Sequence, residues 1–521
     1  MSGYRRHNIL SRKGGSCGTN STAYNLSCLY TGVVRPPVPV GSRVGSSRGR
    51  YAAARLLALR QLQGFAEVAA VMSTMKEFRV IVVGGGLVGL LAAHILAKSE
   101  IDFVLLEQRD SLFPEHGASI GIYPHTVRVF DQLGLLEPLR KIWSPLTRKL
   151  VITHSGYIFK DHPRFTWMGV NHGHPFAMVH RTDLLRCLYD TLDNDVKKRV
   201  YTNKQVADVQ VLDESCEVRC SDGTAERGSL IIGADGNSSR VRRQMRNQRQ
   251  LEQPLLPLVM SERPFVASFT LLYGSVPLLP SMPGGTSWEA HGTGMSTALF
   301  VGKERAWFFW YEKRAFTTHG QTPAKFSKEN EARFVSKWAH VHITDKLRLK
   351  DVYEARQSSG MTLVEEGVVE HRFSKRIVLV GDSAAKVTPN LAFGFNGGVQ
   401  GLVALMNGLH GLVRGQNVTQ PSTAELDTVF QMYQDQALAL SRLLVNVSGK
   451  SLRATTWDTW GSWVMDRYVS GVTGADWRRY NQQFAPMIAQ SLVLDFLSEE
   501  NLPYGKMGWE YHPEMAVDKQ D

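Results

Sequence analysis

Three glycines and three acids carry the chemistry most readily read from this chain. Gly84, Gly86 and Gly89 form G-x-G-x-x-G between an apolar run at 78–83 and a helically spaced run from Leu87 to Lys98. In such a unit the first glycine permits a tight turn, the second lets backbone approach a diphosphate, and the third lets helix and strand pack closely. The helix N-terminus then faces phosphate charge. Glu107 ends a second strand-like run, "FVLLE", 18 residues after Gly89. A carboxylate there can hold both hydroxyls of an unphosphorylated ribose, which points to NAD or FAD rather than NADP at this site.

Two later segments separate those options. "GSLIIGADGNSSRVRRQM" (228–245) reads as a buried strand ending in Asp235-Gly236, with Ser239 and Arg242 opening a helix. "IVLVGDSAAKVTPNLAFGFNGGVQG" (377–401) is a third strand-acid-glycine-helix unit, with Asp382 at the strand end and Gly394 to Gly398 before the helix. FAD extends well beyond its adenosine, so it needs a distant carboxylate and a second helix N-terminus. The positive end of that helix would lie beside the flavin edge that becomes negative on reduction.

The elements needed to position these groups define the expected architecture. It is α/β: a Rossmann-like FAD-binding domain, a β-sheet region between its second and third segments, and C-terminal helices. A chain of 521 residues is long enough for two or three domains. The expected boundaries are an N-terminal extension at 1–74, the first part of the FAD domain at 75–254 with a substrate-domain excursion near 145–178, and the substrate sheet at 255–354. The last part of the FAD domain follows at 355–418, and a helical region at 419–521. In the substrate region "PFVASFTLLYG" and "RAWFFWYEKR" read as strands. In the second, Trp307, Phe309 and Tyr311 share one face by period two, while Phe308 and Trp310 share the other.

Composition excludes several classes. The formal charge of +12 is concentrated in residues 1–74, which carry +9 and leave +3 for the rest. The basic balance therefore belongs to a tail and not to a nucleic-acid-binding face. That tail, rich in Arg, Ser and Gly, has the composition of a mitochondrial transit peptide or of a disordered extension, with Met75 as a natural start. Cys17, Cys28, Cys187, Cys216 and Cys220 show no metal-ligand spacing, and reduced thiols are expected. Cys216 and Cys220 read as flanking a strand-turn-strand. No metal is expected, and no run is long enough to span a bilayer.

The ordered set "VGGGLVGL…LLEQR", "MVHRTDLLRCL", "GADGNSSRVRR" and "VGDSAAKVTPN…GFN" resembles the single-component FAD-dependent monooxygenases of the p-hydroxybenzoate hydroxylase type. "GASIGIYPHTVRVFDQLGLLEPL" and "PMIAQSLVLDFL…GKMGWEYHP" are similar to the fungal branch acting on meroterpenoid and indole-diterpene precursors. The resemblance covers about 75 to 513 and implies an FAD-binding domain of the glutathione-reductase type with an inserted β-sheet substrate domain. It implies that Glu107 binds the adenosine ribose, that Gly121 presents backbone near the cofactor, and that Arg181 reaches FAD from a helix at 181–192. Asp235 and Gly236 would serve FAD and NAD(P)H, and Asp382 the ribityl hydroxyls. Gly394, Phe395 and Asn396 would line the flavin through backbone. Tyr273 is the candidate catalytic side chain, a hydrogen-bond donor near the flavin, with a structural tyrosine as the alternative.

Three departures stand out. Ala385 replaces the His of G-D-x-x-H, Ala392-Phe393-Gly394 replaces G-Q-G, and Gly401 stands where an acid is common. Ala392 adds a methyl and Phe393 adds bulk where backbone should approach the flavin. The implied reaction uses NAD(P)H and O₂ to insert one oxygen atom into a small apolar, prenylated substrate by epoxidation or hydroxylation. Hydroxylation of a phenol, and a flavin-binding protein with little oxygenase activity, are the alternatives. The resemblance implies a cytoplasmic protein or one lying at most peripherally on an internal membrane. It leaves the oligomeric state open.

Overall fold

The computed structural model describes residues 78–114, 118–252, 264–320, 325–469, 477–478, 480–499 and 504–513. The basic N-terminal stretch, including the expected extension at 1–74, lies outside these residues. The cofactor-side elements are β1 (Arg79–Val83), α1 (Leu87–Lys98), β2 (Asp102–Leu106), α2 (Arg181–Asp190), β3 (Val200–Tyr201), β4 (Leu230–Gly233) and α3 (Arg240–Glu252). They are completed by β5 (Phe373–Ser374), β6 (Ile377–Leu379), α4 (Phe393–His410) and α5 (Thr423–Thr455).

After the leading Arg79 and Asp102, the runs RVIVV, DFVLL, LIIG and IVL are buried without alternation, because both faces of their sheet are covered. They pair in the order β5-β6-β4-β1-β2-β3, parallel except for β5. One face packs on α1 and α4, whose residues Leu90, Leu91, Ile95, Val399, Leu402 and Leu405 are buried in one core with Val80, Val82 and Phe103. The other face buries Ile81, Val104, Ile231 and Leu379 with Val241 and Met245 of α3. The carboxyl ends of β1, β4 and β6 thus meet along one edge.

A second, eight-stranded sheet stands beside the first. Its order is Ala385–Lys386, Ser358–Val368, Val266–Pro277, Arg305–His319, Met295–Val301, Thr286–Gly292, Arg148–Thr153 and Ile158–His162. The strands from 148–153 and 158–162 come from the segment before α2. Ser358–Val368 pairs along Val266–Pro277, so the boundary expected at 354/355 cuts off a strand of this sheet. That strand carries few apolar residues and no clear alternation, so its sheet membership is set by its partner.

The period-two reading of the aromatic run holds. Trp307, Phe309 and Tyr311 join a core with Tyr123, Phe176 and Phe393. Phe308 and Trp310 point to the opposite core with Phe334 and Val352. The first of these faces looks toward α4 and α5.

Two local readings change. Cys216 and Cys220 both lie on the single strand Cys216–Cys220, where they are buried free thiols, and burial pushes Cys216 up to about 12. α2 ends at Asp190 rather than at 192.

Candidate active site

The β1–α1 turn is built by contacts that admit no side chain. Gly84 has φ +111°, and a Cβ there would lie 2.5 Å from the Ala234 carbonyl oxygen. A Cβ on Gly89 would lie 1.9 Å from the Gly84 carbonyl oxygen. At Gly86 the same atom would meet nothing within 4 Å. The first and third glycines therefore set the packing, while the second leaves open space at the start of α1. Just after β2, the buried Glu107 accepts hydrogen bonds from Gly85 N at 2.7 Å and Arg109 N at 3.0 Å. One bond to each oxygen fixes the carboxylate and leaves lone pairs for a ribose. Gly84, Gly86, Glu107, Arg181, Gly236 and Asp382 border one cavity of about 620 Å³.

Asp235 has a different first task. Its Oδ2 accepts from Arg240 N at 2.6 Å and Val241 N at 3.1 Å, capping α3. Its Oδ1 is buried without a partner among the described residues. Burial raises the Asp235 pKa, and these backbone amides oppose that shift. Gly236, at φ +76°, continues the turn and borders both this cavity and a second one.

Arg181 opens α2, its backbone N donating to the Ala118 carbonyl at 2.9 Å. Its side chain also borders both cavities and makes no hydrogen bond or ion pair with another described residue. Burial lowers its pKa and Arg109 adds repulsion, while Asp382, Tyr273 and Glu107 favour the charge. A partly buried guanidinium, unpaired among the described residues and beside the open N-terminus of α1, fits an anionic ligand group such as a diphosphate.

The third segment closes the site. β6 runs into a 3-10 turn at Gly381–Ser383, and the Ser383 hydroxyl donates to the Gly233 carbonyl at 2.6 Å, tying β6 to β4. Asp382 borders both cavities and pairs with Lys386. The second cavity, about 290 Å³, lies between this turn, the start of α4 and the aromatic face of the second sheet. Its apolar lining includes Met178, Phe300, Phe309 and Val387, and Gly121, Ala392, Gly394 and Phe395 present the opposite wall.

The replaced third motif is accommodated in a specific way. Ala392 takes a left-handed conformation, φ +55° and ψ 26°, immediately before α4. Phe393 is thereby directed into the core beside Tyr123, at a ring separation of 5.4 Å, and is absent from the cavity lining. The bulk expected against the flavin is therefore turned away, and only the Ala392 methyl reaches the wall.

Asn396 corrects the sequence reading. It is fully buried, its side chain donating to Gly121 O at 2.8 Å and Ala392 O at 2.7 Å and accepting from Tyr123 N at 3.0 Å. It staples the start of α4 to the strand Ser119–Ile122 from behind the wall rather than lining the cavity. Tyr273 also lies off the wall. It sits on the same sheet face, opposite Phe309 and Gly360, near enough to Arg181 to influence its charge.

Lys386 is the residue the motifs passed over. The available signal is a cation four residues after Asp382. Met178 opens the "MVHRTDLLRCL" motif, whereas Phe300 reaches the cavity from a distant strand and carries no local signature.

The family model for the FAD binding domain matches residues 77–428. FAD-dependent monooxygenase ausM of Penicillium brasilianum is 30% identical over 407 residues, spanning 78% of this chain and 85% of that relative. FAD-dependent monooxygenase prhF of the same species is 31% identical over 367 residues, spanning 70% and 76%. Among solved structures, Klebsiella pneumoniae HpxO complexed with FAD and uric acid superposes with a TM-score of 0.60 at 19% identity, covering 79% of this chain and 95% of that one. The 2,6-dihydroxypyridine-3-hydroxylase of Arthrobacter nicotinovorans gives 0.57 at 19% identity, covering 73% and 93%. The two solved structures share the fold. The family match and the relatives at 30% identity and above carry the assignment further: this chain belongs to the FAD-dependent monooxygenases built on the FAD binding domain.

Proposed function

We propose that the protein inserts one oxygen atom of O₂ into an apolar, prenylated secondary-metabolite intermediate, by epoxidation or hydroxylation, with NAD(P)H as reductant. The observation that carries this reading is the cavity of about 290 Å³ beyond Asp382. It is walled on one side by the α4 start and on the other by Phe300 and Phe309. The names of the relatives, FAD-dependent monooxygenases of Penicillium and Aspergillus species, support the same class of chemistry.

The residues present fit FAD. Glu107 would hold the adenosine ribose, and the α1 N-terminus with Arg181 the diphosphate. Asp382 would accept from the ribityl hydroxyls, and the first amides of α4, at Gly394 and Phe395, would face the flavin ring. Bound FAD supplies the electron storage and oxygen activation that no side chain here can provide. The chain's own work is orientation and exclusion of water. The apolar wall leaves little to solvate a polar intermediate, and the fixed positive end of α4 needs no rearrangement when negative charge develops. Tyr273 would donate a hydrogen bond at the edge of this region, a role supported by its electrostatic influence on Arg181.

The test is direct. Purified protein retains FAD, and prenylated phenols accelerate its NAD(P)H oxidation with formation of a product one oxygen heavier. NAD(P)H consumption that yields only H₂O₂ with every prenylated candidate, or oxygenation confined to unprenylated phenols, contradicts the reading.

A further inference from the structure

The substrate-facing side of the second sheet ends in a buried charged chain. Lys149 Nζ lies 2.6 Å from Glu289 Oε1, and His291 Nε2 lies 3.3 Å from Glu289 Oε2. His291 Nδ1 lies 2.7 Å from Asp466 Oδ2, which also accepts from Trp457 Nε1 at 2.9 Å. Lys160 donates to the other Asp466 oxygen at 2.9 Å. All five charged side chains are at most 14% exposed. Burial opposes the charge on His291, yet Asp466 and Glu289 outweigh it and raise its pKa. Burial likewise opposes ionisation of Glu289, but Lys149 and His291 outweigh it and lower its pKa. Burying several ions costs several kcal/mol each and is poorly repaid in stability, so such a group calls for another use.

Strand register connects this group to the flavin-end cavity. Phe309 faces Ala298, which faces Glu289; one rung along, Tyr311 faces Ser296, which faces His291. Phe309, Phe300 and Pro389 line the cavity of about 290 Å³. Tyr311, Ala298 and the next residues, Asn390 and Leu391, line a small one of about 20 Å³ that Glu289 and His291 also border. That volume holds a single water-sized oxygen. The Tyr311 hydroxyl makes no hydrogen bond to another described residue, and each Glu289 oxygen keeps a free lone pair.

We propose that Glu289 and Tyr311, braced by His291, form a one-oxygen subsite at the far end of the substrate cavity, which takes a hydroxyl of an otherwise apolar substrate. The hydroxyl donates to Glu289 and accepts from Tyr311. His291, Lys149 and Asp466 keep Glu289 ionised and fixed. The subsite would set which end of the substrate reaches the flavin. This inference rests on the proposed oxygenation of a prenylated substrate.

The test uses FAD-loaded protein and two probes, 2-geranylphenol and geranylbenzene, with binding read from perturbation of the flavin absorbance and no turnover required. The wild type prefers the phenol by at least ~10-fold, because a site built to bond a hydroxyl rejects the analogue lacking it. In Tyr311→Phe and Glu289→Gln that preference falls below ~3-fold, with FAD content and geranylbenzene affinity unchanged. Tyr311→Phe removes one hydroxyl and no charge, so it carries the test if Glu289→Gln fails to fold. A phenol preference that persists in Tyr311→Phe overturns the proposal and leaves the small cavity with a structural water only. A wild type that binds the probes equally also overturns it. A wild type that binds neither probe overturns the prenylated-substrate reading, and the subsite with it.

Discussion

Gly121 and Ala392 approach so closely that a methyl on Gly121 would lie 2.8 Å from the Ala392 Cβ. The same methyl would lie 2.4 Å from the Phe176 ring. Asn396 bonds the carbonyls of both residues, so the wall of the flavin-end cavity is one clamped unit. Gly121→Ala is therefore expected to destabilise the protein by ~1–3 kcal/mol, the usual cost of overpacking, and to weaken FAD retention. Combining it with Ala392→Gly recovers part of the loss, because one of the two clashing methyls is gone. Equal melting temperatures for Gly121→Ala and wild type would contradict the packing argument.

Ala392→Gly alone acts in the opposite direction. An alanine at φ +55° carries a left-handed penalty of ~1–2 kcal/mol, which glycine escapes. Part of that gain is offset by the greater freedom of glycine in the unfolded chain. The variant is expected to melt a few degrees higher with FAD still bound, as thermal unfolding followed by flavin release would record.

Arg181 borders both cavities and is unpaired among the described residues, so its loss is expected to appear in cofactor affinity. Arg181→Met weakens FAD binding by ~10- to 100-fold, equivalent to one or two charge-assisted hydrogen bonds. Arg181→Lys recovers part of it, since a point charge lacks the planar fork. Titration of apoprotein with FAD, followed by fluorescence quenching, measures both. An unchanged affinity in the methionine variant would place the diphosphate elsewhere.

Acidification has a defined sign. His125, His172 and His174 are buried, and burial, reinforced by His172 and Arg128 beside His125 and by Arg140 and Arg128 beside His174, brings them from 6.5 down to about 3, about 4 and about 4. His172 has neither ring nitrogen hydrogen-bonded among the described residues. The unfolded chain therefore binds more protons than the folded one between these values and 6.5. Their contribution to stability is complete above that upper value and is lost as the pH falls toward 4, at up to ~1.4 kcal/mol per pH unit for each histidine. Melting temperatures should fall between about pH 7 and about pH 5. A protein that becomes more stable over that interval would refute the assignment of these histidines as buried and neutral.

How far the site could be read from the chain depended on how local its causes are. Gly84, Gly86, Gly89 and Glu107 belong to one strand-turn-helix-strand unit, and their spacing alone specifies the turn. The aromatic alternation at 307–311 was legible for the same reason, since each residue's face follows from its neighbour's. The orientation of Phe393 was not, because it depends on the left-handed step at Ala392. Nor was the staple by Asn396, whose partners at Gly121 and Tyr123 lie more than 270 positions away in the chain. The Glu289–His291–Asp466 chain spans 175 positions between His291 and Asp466, and no motif announces it. Only the register of the second sheet sets it beside Ala298 and Phe309 on the cavity-facing side.

Transfer of an oxygen atom from O₂ to substrate distinguishes an oxygenase from a mere flavin carrier. The most direct measurement supplies FAD-loaded protein with NAD(P)H, a prenylated phenol and isotopically heavy O₂, and weighs the product. An oxygenase yields a product carrying one heavy oxygen atom, with the second recovered as water. A product whose new oxygen comes from water, or heavy H₂O₂ formed in place of any oxygenated product, would contradict that activity.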